Sequence, residues 1–383
     1  MKILIINQHT SNFGDDAAGL ALVNNLLKYN FISCIEILYC MKGELPIKDK
    51  RVFHNHDLFC RDMRIRQYIL YSILGIETGK FIPGFIEKVL SADLTIVSPC
   101  GANLGIYKDR FSLMQDLIIT KLHCPLIFHL NTIGASGNRL FDASVLKVCR
   151  KSKVYVREKA SLRYLQSKGV VAKFGTDSAF SLVNPIKVAN KENKIIFVPS
   201  NVWKWHVDFK KENSFSQFQN VLNQIGKFAL DNKLEIQISP HTNSEQEKEF
   251  NFNIKNYLKE EFSNLVIDVI KINTCYEYEN AIQSARFVVG MRYHTIVFAA
   301  KNFIPFIALS YEQKMNEVSE YTGQQEYCID LKKISNNSSV YNKLKQMLTH
   351  EDEIRHSLKN KHSELVESSK IVMREEIEKL EVK

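Results

Sequence analysis

Short β-branched, apolar runs recur along this chain, and each stops at a turn or a charge before a helix-like run begins. The sharpest is Phe287-Val288-Val289-Gly290-Met291-Arg292-Tyr293-His294, followed at once by Thr295-Ile296-Val297-Phe298-Ala299-Ala300. Runs this short cannot be helices on their own, and their alternation with helices commits the chain to a mostly parallel α/β sheet. In open sheets of that kind, ligands sit at the carboxyl ends of strands, beside the N-termini of the next helices. Arg292 and His294 fall at such a junction, where exposed N–H groups and the helix dipole already favour an anion.

The same alternation predicts strands at Lys2–Asn7, Ile35–Tyr39, Leu94–Ser98, Leu126–Leu130 and Val154–Val156. Helices are expected from Asp15, placed as a cap, to about Tyr29, and at Phe85–Ser91, Phe111–Lys121, Phe141–Lys151 and Ala160–Lys168. The polar stretch from Asn184 to Asn193 breaks the pattern and reads as a linker. Beyond it, strands are expected at Lys194–Val198, Leu234–Ser239, Val266–Ile270, Arg286–Gly290 and Phe306–Ser310. From Val340 to Lys383 the apolar residues Leu344, Leu348, Ile354, Leu358, Leu365, Ile377 and Leu380 are spaced as on amphipathic helices. A chain of 383 residues is too long for one ordinary core. The expected architecture is two Rossmann-like α/β domains, residues 1–185 and 194–335, facing across a cleft, with C-terminal helices over 336–383.

Composition narrows the classes of function. With 45% hydrophobic and 24% charged residues the chain is globular, and no apolar stretch reaches the ~18 residues of a membrane span. Met1–Asn7 reads as a strand rather than a leader, so a cytoplasmic protein is expected. The eight cysteines form no C-x-x-C pair. His54-x-His56 with Cys60 lacks a fourth ligand, so neither a metal nor a cofactor is expected. Lysine and arginine number 51 against 42 acidic residues, a formal +9 that suits anionic substrates, acidic headgroups or nucleic acid. Without an aromatic-basic RNA motif, nucleic acid is not expected. The segment Arg61–Leu74, basic through Arg61, Arg64 and Arg66, reads first as a core helix and second as a membrane-surface contact.

Four clusters fall at strand ends. Asn12-Phe13-Gly14-Asp15 follows the first strand and on spacing alone is a capped turn. Arg157 leaves a strand as a helix begins, which for an isolated arginine usually means an ion-pair partner. His241 ends Ser239-Pro240-His241, where a lone histidine is more often structural. Arg292-x-His294 is joined by Lys314 one helix and one strand later, so adjacent parallel strands would bring all three to one sheet edge.

Taken together, these clusters resemble the polysaccharide pyruvyl transferase family. The resemblance runs through Asn12–Asp15, Arg157–Ser161, Asp177-Ser178-Ala179-Phe180, Val289–His294, Phe298-Ala299-Ala300 and Pro305–Lys314. It departs at Pro99-Cys100-Gly101-Ala102-Asn103, only partly glycine, and at Val198-Pro199-Ser200-Asn201, where Lys204 is the nearest cation. The resemblance implies a GT-B-like fold and transfer of a pyruvyl group from phosphoenolpyruvate to a sugar, free or lipid-linked, as a cyclic ketal. It implies no nucleotide. Under it, Arg292 and Arg157 are expected to hold the donor's carboxylate and phosphate, because arginine forks match oxyanions. Lys314 would be a point-charge partner, His294 the general acid/base, and His241 a second one. Asn12, Gly14 and Asp15 would meet the acceptor. Two other readings stay open: a nucleotide-sugar glycosyltransferase using the same cations for a diphosphate, and a non-catalytic sugar- or phosphate-binding protein.

Overall fold

Apolar strands interleaved with helices build two separate sheets, and every strand pair in both is parallel. The computed structural model describes the chain except residues 11, 57–64, 76–80, 187–191, 207–208, 210–213, 335–338 and 382–383. Two compact units result. The first comprises Met1–Ser11, Asp15–Leu182 and Val366–Lys383, the second Asn12–Gly14 and Val183–Leu365.

In the first unit the elements run β1 (Lys2–Gln8), α1 (Phe13–Leu26), β2 (Cys34–Tyr39), β3 (Val52–Asn55), α2 (Ile65–Leu74), α3 (Phe81–Leu90), β4 (Leu94–Val97), α4 (Arg110–Lys121), β5 (Leu126–Asn131), α5 (Arg139–Cys149), β6 (Lys153–Val156), α6 (Lys159–Ser167) and β7 (Lys173–Phe174). The strand order is β3-β2-β1-β4-β5-β6-β7. This is the doubly wound arrangement, whose order reverses between β1 and β4. Ile3–Ile6 and Phe128 are fully buried, as strands covered on both faces must be. The register shifts at the carboxyl ends of β1 and β5, where Asn7 and Leu130 adopt φ of 59° and 54°. Such bulges re-aim side chains. Near them, Asn131 Nδ2 donates to the Ser98 carbonyl at 2.8 Å, and Ser112 Oγ donates to Asn7 Oδ1 at 3.0 Å.

The second unit runs β8 (Lys194–Val198), α7 (Val202–Trp205), α8 (Ser214–Asp231), β9 (Glu235–Ile238), α9 (Glu245–Glu261), β10 (Ile267–Val269), α10 (Cys275–Ser284), β11 (Phe287–Gly290), α11 (Tyr293–Lys301), β12 (Phe306–Ser310), α12 (Gln313–Tyr321), β13 (Cys328–Asp330), α13 (Ser339–Thr349) and α14 (Glu351–Ser369). Its order, β10-β9-β8-β11-β12-β13, is the same winding with the reversal between β8 and β11. All of Phe287–Gly290 and Phe306–Ser310 is buried.

Three features depart from the sequence reading. The strands β3, β7 and β13 were not expected, because each is a short edge strand with mixed burial and no sustained apolar run. The terminal helices do not stay together: α13 and most of α14 pack in the second unit, and the chain from Val366 onward packs in the first. There Tyr155 donates to Glu376 at 2.6 Å, Ser368 Oγ accepts from the Thr176 N–H at 3.1 Å, and Val372, Met373 and Ile377 are buried. Finally, α1 begins at Phe13, so Asn12 holds the capping place expected of Asp15. Its Oδ1 accepts from the Gly14 N–H at 2.9 Å, and Asp15 lies in the first turn.

Candidate active site

In the second unit the site grows from the carboxyl ends of β11 and β12. Gly290 ends β11, and Arg292, with extended φ and ψ of −117° and 138°, is the residue from which α11 starts. His294 lies in the first turn of that helix and is 4% exposed. Arg292 Nη2 stands 3.5 Å from Glu247 Oε2, longer than a charge-assisted hydrogen bond. Its side chain keeps 22% of its surface exposed. After β12, Lys314 Nζ pairs with Glu312 Oε2 at 2.8 Å, and His206 Nε2 lies 3.9 Å from the other Glu312 oxygen.

His241, after β9, is buried and joins this group. Its ring stacks near that of His294, centroids 6.2 Å apart at 15°. Burial first, then the charges of Arg292, His294 and Lys314, hold its pKa well below the usual histidine value. His241 is therefore neutral at physiological pH. This bears on the second acid/base role expected of it, because a ring that resists protonation hydrogen-bonds better than it shuttles protons. Its backbone N–H donates to Glu247 Oε1 at 2.6 Å, and Thr242 Oγ1 donates to Glu247 Oε2 at 2.7 Å. One carboxylate in the first turn of α9 thus holds both the histidine loop and the Arg292 fork.

Asn12 and Gly14, expected on the acceptor side, belong with Phe13 to this unit. Asn12 bridges Thr242 in antiparallel fashion, and the Phe13 N–H donates to the His241 carbonyl at 3.2 Å. The Phe13 ring packs on Tyr278 at 5.6 Å. Gly14 has a specific reason to be glycine. A Cβ there would collide with the His294 imidazole, which fills the space a side chain would take.

Arg157 and Asp15 lie in the first unit. Arg157 is 2% exposed and Nη1 pairs with Asp177 Oδ2 at 2.7 Å. Its Nε donates to Thr132 Oγ1 at 3.3 Å, and that hydroxyl donates to Glu158 Oε1 at 2.7 Å. Ser161 Oγ accepts from the Ile133 N–H at 3.1 Å, so the Arg157–Ser161 signature ties two strand ends together. Asp15 is half-buried in the first turn of α1. In the partly glycine loop after β4, Asn103 Nδ2 lies 2.9 Å from His9 Nε2.

Sequence reasoning missed Glu247, Tyr278 and Ser200. Ser200, after β8, is 1% exposed and its Oγ has no partner among the described residues. Among the described residues no cluster of histidine, cysteine or carboxylate could hold a metal ion. His54 and His56 lie in and just after β3, and Cys60 is outside the described residues. No helix among the described residues is long and apolar enough to cross a membrane.

This arrangement, two parallel doubly wound sheets with functional groups at the strand reversal, is a GT-B-like α/β fold. Solved structures share it. The UDP-GlcNAc 2-epimerase from Neisseria meningitidis, bound to UDP-GlcNAc, superposes with a TM-score of 0.63 at 11% identity, covering 98% of this chain and 99% of that one. Anabaena HepE, in complex with UDP and glucose, gives 0.59 at 10% identity with 100% of each chain covered. A protein from Listeria monocytogenes described as a putative UDP-N-acetylglucosamine 2-epimerase gives 0.62 at 12% identity, with 93% and 90% covered. At such identities the likeness is one of fold. No curated protein matches the chain by sequence. The family model for polysaccharide pyruvyl transferase matches residues 12–313, and the chain belongs to that family.

Proposed function

We propose that the protein transfers the pyruvyl group of phosphoenolpyruvate to a sugar of a capsule or cell-wall polysaccharide or its lipid-linked precursor, forming a cyclic ketal and releasing phosphate. The observation that carries this reading is the convergence of Arg292, His294, neutral His241 and Lys314 beside the N-terminus of α11. An anion carrying both carboxylate and phosphate matches a fork, a point charge and a helix start better than a neutral sugar does. Arg292 takes the carboxylate, displacing the loose Glu247 contact, and Lys314 meets the phosphate.

The reaction needs proton movement more than it needs charge. One sugar hydroxyl adds to the enol carbon of the donor while the methylene carbon takes a proton and becomes a methyl. A second hydroxyl then attacks the same carbon, the bond to phosphate oxygen breaks, and the ring closes with loss of that hydroxyl's proton. His294 carries these protons, and Gly14 gives its ring the room to stand there. Asn12 stands with this group, and Asp15 meets acceptor hydroxyls. Arg157, sealed against Asp177, enters as a positioning residue rather than a donor contact. Ile73 and Leu74 at the end of α2 are exposed, which supports a membrane-surface contact for a lipid-linked acceptor at the cytoplasmic face. Tyr71 of the same helix lies in the core, and Arg61 and Arg64 lie outside the described residues.

Incubation with phosphoenolpyruvate and candidate sugars, following inorganic phosphate, tests the reading. Acceptor-dependent phosphate release with a matching pyruvylated product is the expected result. Release of UDP from a UDP-sugar, with no turnover of phosphoenolpyruvate, would replace this reading with the nucleotide-sugar one that the UDP-bound fold neighbours favour. Binding of either ligand without turnover would leave a sugar- or phosphate-binding protein.

A further inference from the structure

Behind His241 lies a buried chain of hydroxyls that the proposed reaction has not used. The Tyr278 Oη, on α10, is 3.3 Å from His241 Nδ1 and 2.6 Å from Thr295 Oγ1, in the first turn of α11. His241 is 3% exposed, and Tyr278 and Thr295 are sealed. Packing fixes the ring of Tyr278 between Phe13 at 5.6 Å and Phe298 at 5.7 Å, leaving the hydroxyl little choice of direction.

Counting donors sets the polarity of this chain. Tyr278 is the one hydrogen-bond partner of Thr295 Oγ1 among the described residues. If Tyr278 donated to Thr295, the threonine hydroxyl would be left with a buried, unused proton, at a cost of about 1–3 kcal/mol. The arrangement that satisfies every group has Thr295 donating to Tyr278 and Tyr278 donating to His241 Nδ1. A neutral imidazole that accepts at Nδ1 carries its proton on Nε2. Nε2 takes no hydrogen bond from any described residue.

We propose that Tyr278, backed by Thr295, is a positioning residue that holds His241 as the Nε2–H tautomer, so that His241 offers a neutral N–H donor to an oxyanion of the bound donor molecule. The assignment of the ligand rests on the phosphoenolpyruvate reading, while the tautomer itself does not. A neutral donor suits this place: it stabilises charge developing on oxygen without competing with His294 for protons. Burial and the surrounding cations keep the ring from becoming a second acid.

The test is nitrogen NMR on protein labelled at histidine, with His241 assigned by its loss in His241→Gln, combined with turnover of phosphoenolpyruvate. In the wild type, His241 should show a pyridine-type Nδ1 and a pyrrole-type Nε2. Tyr278→Phe removes one oxygen and keeps the ring contacts; it should give mixed tautomers and lower kcat about 3- to 10-fold with a smaller change in KM, the size of one lost hydrogen bond. Thr295→Val should keep the wild-type tautomer, since Tyr278 would still donate to Nδ1. A wild-type pyrrole-type Nδ1 overturns the proposal, as does a Tyr278→Phe tautomer identical to wild type. A shifted tautomer with unchanged kcat removes His241's donor role in turnover. If the wild type does not turn over phosphoenolpyruvate, the functional reading fails, and the NMR arm still decides whether Tyr278 sets the tautomer.

Discussion

Arg157 and Arg292 stand at the same point of the same local grammar. In each case a buried strand ends, an arginine follows, and a helix starts within two residues: Val156-Arg157-Glu158-Lys159 in one unit, Gly290-Met291-Arg292-Tyr293 in the other. Their surroundings differ completely. Arg157 is 2% exposed on Asp177 at 2.7 Å, a buried ion pair with further hydrogen bonds. Arg292 keeps 22% of its side chain exposed and meets Glu247 at a loose 3.5 Å, with two histidines and Lys314 nearby. A buried pair with good geometry resists losing one member, whereas a looser contact can be exchanged for a ligand's oxygens. The comparison sharpens the proposal: the same strand-to-helix junction carries a short, buried ion pair at Arg157 and a longer, more exposed one at Arg292, where the ligand contact is proposed.

The largest effect should come from the group proposed to carry the protons. His294→Gln should lower turnover ~10²–10⁴-fold while leaving the thermal transition unchanged. Near-wild-type rates from a folded His294→Gln protein would remove the proton-transfer role. Next in size is the buried pair of the first unit. Arg157→Met should cost roughly 3–5 kcal/mol in denaturant unfolding, because the buried Asp177 charge loses the guanidinium that offsets it. The double change Arg157→Met with Asp177→Leu should recover much of that loss. If the single variant is as stable as wild type, the pair does not support the fold and the contrast collapses.

Gly14→Ala sharpens the contrast from the other side. The added Cβ must push the His294 ring aside, and a displacement on the order of 1 Å can cost ~10²-fold in rate. Steady-state kinetics with an otherwise normal circular-dichroism spectrum would bear this out; full activity would show that the ring need not stand there. A pH-dependent effect on stability concerns Asp16, in the first turn of α1 beside Asp15. Burial first, then the Asp15 charge, raise its pKa to about 7. The folded state therefore binds this proton more tightly than the unfolded chain, so its contribution to stability is present below about pH 4 and fades as pH rises to about 7. Asp16→Asn should flatten that part of the stability–pH curve measured by urea midpoint. An unchanged slope would mean the carboxyl titrates normally.

Much of the fold was legible because its signal is local. Runs such as Lys194–Val198 and Phe306–Ser310 are apolar but for one terminal residue each, and form strands with those bounds. The edge strands were not, since Val52–Asn55 and Cys328–Asp330 alternate imperfectly and owe their pairing to a neighbour. The site divides in the same way. Arg292, His294, Lys314 and His241 announce themselves as charges or imidazoles at strand ends. Glu247 reads as an ordinary acidic residue in a helix's first turn, and Tyr278 as one apolar position on the buried face of Cys275–Ser284. Their roles come from three-dimensional convergence on His241, which no spacing encodes. Arg157 shows the converse. Its place at a strand end read as an ion-pair partner, the family resemblance implied a donor contact, and the distance to Asp177, twenty residues away, gives one partner of that pair.

The central claim, that Arg292 meets the donor anion and Arg157 does not, is tested most directly by calorimetric titration of phosphoenolpyruvate into three proteins. These are the wild type, Arg292→Lys, and the double variant Arg157→Met/Asp177→Leu. A point charge cannot reproduce the fork, so Arg292→Lys should bind about 10- to 100-fold more weakly, the worth of a charged hydrogen bond. The double variant should bind as the wild type does. The reverse pattern, with affinity kept in Arg292→Lys and lost in the double variant, would contradict the account.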